Sequence, residues 1–178
     1  MTTLVWFRQD LRLADNPALA FAAARGDVTP VYVLDDETPG RWKAGGASRW
    51  WLHHSLAALW EKLGGLVLLR GETRAMLREA VAATGADPIV WNRCYEPYAV
   101  ELGRGVVTDM QALGVAARSF NAALINEPWE VKTLAGKPYT VFTPYLRAAR
   151  QRGVATPVPA PSLNRSEEHT SELQSRGL

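Results

Sequence analysis

What the 178-residue chain lacks narrows its chemistry first. It has a single cysteine, Cys94, which excludes an internal disulfide and any cysteine-rich zinc centre and suits a reducing, cytosolic setting. Two of its histidines, His53 and His54, are adjacent. On a helix they point about 100° apart and cannot chelate one ion together, so no metal site is expected. No segment approaches the roughly 20 apolar residues that span a bilayer, and Met1-Thr2-Thr3 opens no signal-peptide pattern. No membrane partner is expected. There is no G-x-G-x-x-G after the first strand, no Walker loop, no H-E-x-x-H and no G-x-S-x-G, and Gly45-Gly46 is an isolated pair. A strong charge bias is missing too. The formal net charge is +2, short of the basic excess usual in a dedicated DNA-binding module.

What is present is a globular chain, 47% apolar with seven tryptophans, in which strand and helix patterns alternate. Leu4–Phe7 reads as a buried strand, followed by a helix from Pro17 with Asn16 as its cap. Strands are expected at Val28–Leu34, Leu66–Leu69, Ile89–Trp91 and Val115–Phe120. Between them lie a long helix with Trp51, Leu52, Leu56, Leu59, Trp60 and Leu63 at helical spacing, one capped by Thr73, and one over Tyr98–Leu113. Repeated β-α units predict an α/β fold: a doubly wound, mostly parallel, five-stranded Rossmann-like sheet with helices on both faces.

After Phe120 the periodicity is lost. Asn121–Tyr145 holds Pro128, Pro138 and Pro144 and reads as an extended loop, with a helix beginning at Tyr145. The expected organisation is a domain over residues 1–150, a stiff proline-rich linker over 151–164, and a tail over 165–178. That tail resembles translated sequencing-adapter sequence and is expected to be non-native.

Charge gathers at the ends of the expected strands: Arg8, Asp10 and Arg12 after the first, Asp35 and Asp36 after the second, Asn92 to Glu96 after the fourth. Parallel strands bring these ends to one sheet edge, where ligands bind in such folds. Either a salt-bridged rim or a ligand site accounts for the first group, since Arg and Asp pair well. Asn92 and Glu96 are read as ligand contacts, and Cys94 as a small buried filler rather than a reactive thiol.

Three blocks carry a family resemblance. They are Leu4-Val5-Trp6-Phe7-Arg8-Gln9-Asp10-Leu11-Arg12, Trp91-Asn92-Arg93-Cys94-Tyr95-Glu96-Pro97-Tyr98, and the run from Asn126-Glu127-Pro128-Trp129 to Phe142-Thr143-Pro144-Tyr145. Together they resemble the N-terminal α/β domain of the DNA photolyase/cryptochrome family. The resemblance implies that this domain holds an antenna chromophore, a folate (methenyltetrahydrofolate) or a deazaflavin. Phe7, Arg8, Asp10, Asp35, Asp36, Arg49, Asn92, Cys94 and Glu96 are the candidate contacts. Arg49 and Glu96 match positions that touch deazaflavin in some members, where an acid common in those members falls on Cys94. The asparagine–glutamate pair of folate-binding members falls on Tyr98-Ala99, which does not match.

The resemblance further implies that FAD, the electron-transfer tryptophans and the lesion pocket belong to a C-terminal helical domain outside this sequence. There, blue-light-excited reduced FAD splits cyclobutane pyrimidine dimers in damaged DNA, with the lesion flipped from the duplex. No catalytic residue is expected in this chain, and by itself it is expected not to repair DNA. Trp129, Val131, Tyr139, Phe142 and Tyr145 would form the exposed face toward the helical domain. The alternatives are a cryptochrome-type light receptor and a stand-alone nucleotide- or chromophore-binding domain.

Overall fold

The computed structural model describes residues 1–165. Its first unit is a parallel sheet built from β1 (Thr2–Phe7), β2 (Asp27–Leu34), β3 (Val67–Arg70), β4 (Ile89–Asn92) and β5 (Ala117–Phe120), in the order β3-β2-β1-β4-β5. Helices α1 (Pro17–Ala23), α2 (Gly46–Leu63), α3 (Thr73–Thr84) and α4 (Pro97–Ala112) connect the strands.

The strands are short, and the central β1 and β4 are buried on both sides, so alternation assigns each residue a face. Leu4 and Trp6 of β1 join Ile89, Trp91, Val31 and Val67 beneath α3 and α4. Val5 and Phe7 join Val90, Leu19 and Ala22 with the last turns of α2. A doubly wound sheet with two cores is what the β-α alternation predicted.

Asn16 caps α1 by accepting from the Leu19 N–H at 3.0 Å, with Pro17 at the first helical position. The cap of α3 differs from expectation: Glu72, not Thr73, accepts from the Arg74 and Ala75 N–H groups. Thr73 is diverted, because its N–H and hydroxyl both donate to Asp35. Long α2 also departs from a core helix. Only Leu59 and Leu63 are buried, while Trp51 is 70% and Trp60 48% exposed. Helical spacing fixed the arc these residues share but not whether anything covers it.

The proline-rich stretch after residue 152 does not run free. The Asp15 N–H donates to the Val158 carbonyl at 2.6 Å. A two-residue strand, β6 (Asn164–Arg165), then lies parallel to Asp27 and Val28 of β2. It fills the edge that β3 leaves open, because β3 reaches β2 only from Val31 onward. The sheet therefore gains a sixth strand beyond the five expected. The rest of the expected tail, residues 166–178, lies outside the described residues.

Residues 123–157 form a second compact unit. It holds α5 (Phe142–Arg152), which starts three residues before the expected Tyr145. Pro144 explains the difference, since proline is tolerated in a first helical turn, where no backbone donor is needed. Val131, expected on an exposed face, is instead buried, while Trp129 and Phe142 of that set are exposed and Tyr139 and Tyr145 are half-buried. Among the described residues no helix is long and apolar enough to cross a membrane.

Candidate functional site

The strand order reverses between β1 and β4, and in open α/β sheets the crevice beyond the carboxyl ends at such a point is the usual ligand site. A cleft of about 1200 Å³ opens there. Arg8, Asp10, Tyr32, Trp42, Trp51 and Tyr98 line it, and Ala160 of the returning segment adds to its wall.

The loop after β1 is fixed by its own polar groups. The Asp10 carboxylate accepts from the Arg8 N–H at 3.0 Å and from the Asn92 amide. That Asn92 amide also donates to Asn16, and its oxygen accepts from the Ala18 N–H at 3.2 Å. Asn92 is 2% exposed. Its hydrogen-bonding capacity is spent inside the protein, locking the β4 end to the β1 loop and the α1 start. Arg12 reaches the Asp15 carbonyl and, at 2.8 Å, the Ala122 carbonyl, so it ties loops together.

Asp35 and Asp36 have different tasks. Asp35 accepts from the N–H groups of Glu37, Thr38 and Thr73 and from the hydroxyls of Thr38 and Thr73. Burial pushes its carboxyl up, but the donors on Thr38 and Thr73 outweigh it and hold the pKa down to about 2. Asp36 pairs with Arg49 at 2.6 Å and Arg70 at 3.5 Å. Arg49 also donates to the Ala44 carbonyl, so it braces the segment carrying Trp42.

Arg8 is a cation of the cleft wall. Its guanidinium lies over the Trp6 ring, 4.5 Å from the centroid, and among the described residues it makes no ion pair. Burial raises the Cys94 thiol above its ordinary value against the pull of Arg8, which keeps it protonated near neutrality. Burial likewise raises Tyr32 and Tyr98, so both stay neutral phenols able to donate. Glu96 is held below its ordinary value by its own backbone N–H, with the Gln9 amide and the Arg8 charge adding to this against burial. Its carboxylate accepts from Gln9 at 3.1 Å.

Six expected site residues therefore meet at the cleft: Phe7, Arg8, Asp10, Asp35, Asp36 and Cys94. Arg49, Asn92 and Glu96 are not among its lining residues and act from behind it. Sequence reasoning passed over Tyr32, Trp42, Trp51 and Tyr98. Trp51 stands at helical spacing among the apolar residues of α2, and Trp42, 65% exposed, stands in a polar, glycine-rich stretch with no periodicity at all. The whole offers aromatic faces, two phenol donors and the cations Arg8, Arg12 and Lys62 around a space suited to a flat conjugated ligand.

Comparison with known proteins fits this geometry. The family model described as DNA photolyase matches residues 3–162. The chain is 45% identical over 150 residues to the deoxyribodipyrimidine photo-lyase of Agrobacterium fabrum, covering 82% of this chain and 31% of that protein. It is 38% identical over 148 residues to cryptochrome-2 of Arabidopsis thaliana, covering 80% of this chain and 24% of that one. A bacterial class III photolyase from Agrobacterium tumefaciens superposes with a TM-score of 0.80 at 39% identity, over 93% of this chain and 35% of that structure. The chain thus spans 31% and 24% of the lengths of these two curated relatives.

Proposed function

Because the chain belongs to the DNA photolyase family, we propose that its sheet-edge cleft holds a light-harvesting chromophore for a deoxyribodipyrimidine photo-lyase. The observation that carries this reading is the cleft at the point where the strand order reverses, with Arg8 in its wall and Trp42 and Trp51 exposed there. Arg8 would hold an anionic or carbonyl group of a folate or deazaflavin. Trp42 and Trp51 would stack on its ring system, and Tyr32 and Tyr98 would donate to its edge. When bound, such a group supplies absorption in the near-ultraviolet or blue. The protein's own part is to hold the ring flat, exclude water and fix its orientation.

Light-driven, FAD-dependent splitting of pyrimidine dimers in damaged DNA comes to this protein through the family, as does a helical partner domain. A reducing, cytosolic setting is inferred from the single cysteine, Cys94. A cryptochrome-type receptor is the second reading, favoured by the 38% identity to a plant cryptochrome.

The test is reconstitution. Purified chain mixed with methenyltetrahydrofolate, and separately with a deazaflavin, is freed of unbound ligand, and absorption co-migrating with protein is expected for one of them. Arg8→Ala and Trp51→Ala are each expected to weaken binding about tenfold, near 1.4 kcal/mol, with little change in melting temperature. Protein that stays colourless with both, and that ATP instead raises in melting temperature, would be a nucleotide module and would overturn the proposal.

A further inference from the structure

Helix α2 has more apolar surface than the sheet beneath it covers. Of its 18 residues only Arg49, Glu61 and Lys62 are charged, and only Leu59 and Leu63 are buried. The cleft takes a second side, with Ser48, Trp51, Ser55 and Lys62 among its lining. A third side meets neither core nor cleft. It carries Trp50, 62% exposed, and Trp60, 48% exposed, with His53, His54 and Ala57 exposed between them. A helix that is apolar all round is ordinarily enclosed.

The spacing on this third side is regular. Gly46, Trp50, His53, Ala57, Trp60 and Gly64 follow one another at steps of four, three, four, three and four. At roughly 100° per residue they share an arc of about 80°, the seam along which two helices pair. The seam is also complementary to itself. An antiparallel second copy sets Trp50 level with Trp60, His53 with Ala57 and Gly46 with Gly64. The rings can then meet in pairs, while the small residues leave the backbones room to approach. Nothing inside the chain crowds Gly46, since a Cβ there would meet no atom within 4 Å. The same pairing sets Glu61 level with Arg49 of the second copy, whereas parallel pairing would set Glu61 against Glu61.

We infer that this side of α2 is a homodimer interface, closed by the antiparallel α2 of a second copy. A twofold contact uses one patch twice, which is what a self-complementary seam provides and an unrelated partner does not require. Exposed area sets its strength. With up to about 250 Å² from each fully covered tryptophan, the seam and its neighbours supply roughly 500 Å² per copy, about 1,000 Å² in all, at the low end for specific interfaces. The dimer is therefore weak and reversible. A membrane surface fits less well, because an interfacial helix sets a cationic face against its apolar one and α2 has only Arg49 and Lys62 as bases. The residues expected toward a helical domain lie elsewhere, between 129 and 145. The inference is independent of the chromophore reading, since none of the six seam positions lines the cleft.

Sedimentation equilibrium of the full chain tests it, in a Trp129→Ser/Phe142→Ser background that removes other exposed aromatic surface. A monomer–dimer equilibrium at micromolar concentrations is expected. Ala57→Lys puts a long cation in the middle of the seam at an exposed helical position. It should raise the dissociation constant about tenfold or more with the melting temperature unchanged, and Trp50→Ser should act alike. Arg104→Glu, at an α4 site 77% exposed, should leave the dimer intact. Register is read in a Cys94→Ser background by mixing His53→Cys chains with Ala57→Cys chains. Mild oxidation should link unlike chains faster than like ones, because only the unlike pair is level. The inference is overturned by a chain that stays monomeric into the millimolar range, by a dimer indifferent to Ala57→Lys, or by equal linking of like and unlike chains. It is overturned equally by a monomer that floats with phosphatidylcholine vesicles through α2, or by a dimer that forms only once residues 166–178 are removed.

Discussion

At the scale of single residues, the carboxylates beside the cleft divide between structure and surface. Asp35 is the clearest case, because its hydrogen bonds join the turn after β2 to the start of α3. Its folded pKa of about 2 lies below the ordinary aspartate value of 3.8, so the folded state favours the ionised form. Its contribution is complete above the unfolded pKa and is lost as pH falls from about 4 toward 2. Asp35→Ala should cost about 1–2 kcal/mol at neutral pH. Urea melts at pH 7 and near pH 2 should show the gap closing in acid, and a gap that persists there would refute this role. Asn92 makes the opposite point about reading side chains by type. The sequence marked it as polar at a strand end, yet only the packing of α1 against the β1 loop revealed that its amide is consumed internally.

Among elements, α3 and α4 are clasped by a group that sequence reading passed over. Asp109 on α4 accepts from Arg74 and Arg78 on α3, and Arg74 makes a two-pronged contact. Gly105, one turn earlier on α4, leaves the room this needs, since a Cβ there would come within 2.9 Å of the Arg74 side chain. Asp109 is 13% exposed, and its pKa is lowered first by the Arg74 hydrogen bond, with burial opposing. Asp109→Ala should destabilise the fold by about 1–2 kcal/mol, because it frees two cations that remain partly solvated. Equal urea midpoints for the variant and the parent would show the clasp to be superficial. The element boundaries were legible wherever a cap or a glycine stop was encoded locally, as at Asn16 and Gly64. They were missed where a distant partner decided them. Thr73 lost its cap role to Asp35, and α5 began before Pro144.

For the molecule as a whole, exposed aromatic surface sets its behaviour in solution. Trp129 is 54% and Phe142 70% exposed in the second unit. Apolar surface of this kind favours association, so sedimentation velocity should show concentration-dependent self-association that Trp129→Ser/Phe142→Ser reduces. A monomer at every concentration, with no binding of a hydrophobic dye, would refute that expectation. The sequence by itself determined the class of fold, because the alternation of short apolar strands with helices permits few arrangements other than a parallel, doubly wound sheet. It also determined that charge would collect at one sheet edge, because parallel strands all end there. Only the tertiary structure decided which of those charges are already held by other protein groups. Asp35, Asp36, Asn92 and Glu96 are all polar at strand ends, but each has neighbours distant in sequence that take up its hydrogen bonds, whereas Arg8 has an aromatic ring beneath it and, among the described residues, no ion pair. The chain encodes the identity of a polar group locally, but whether that group is already satisfied depends on partners that only folding brings within reach.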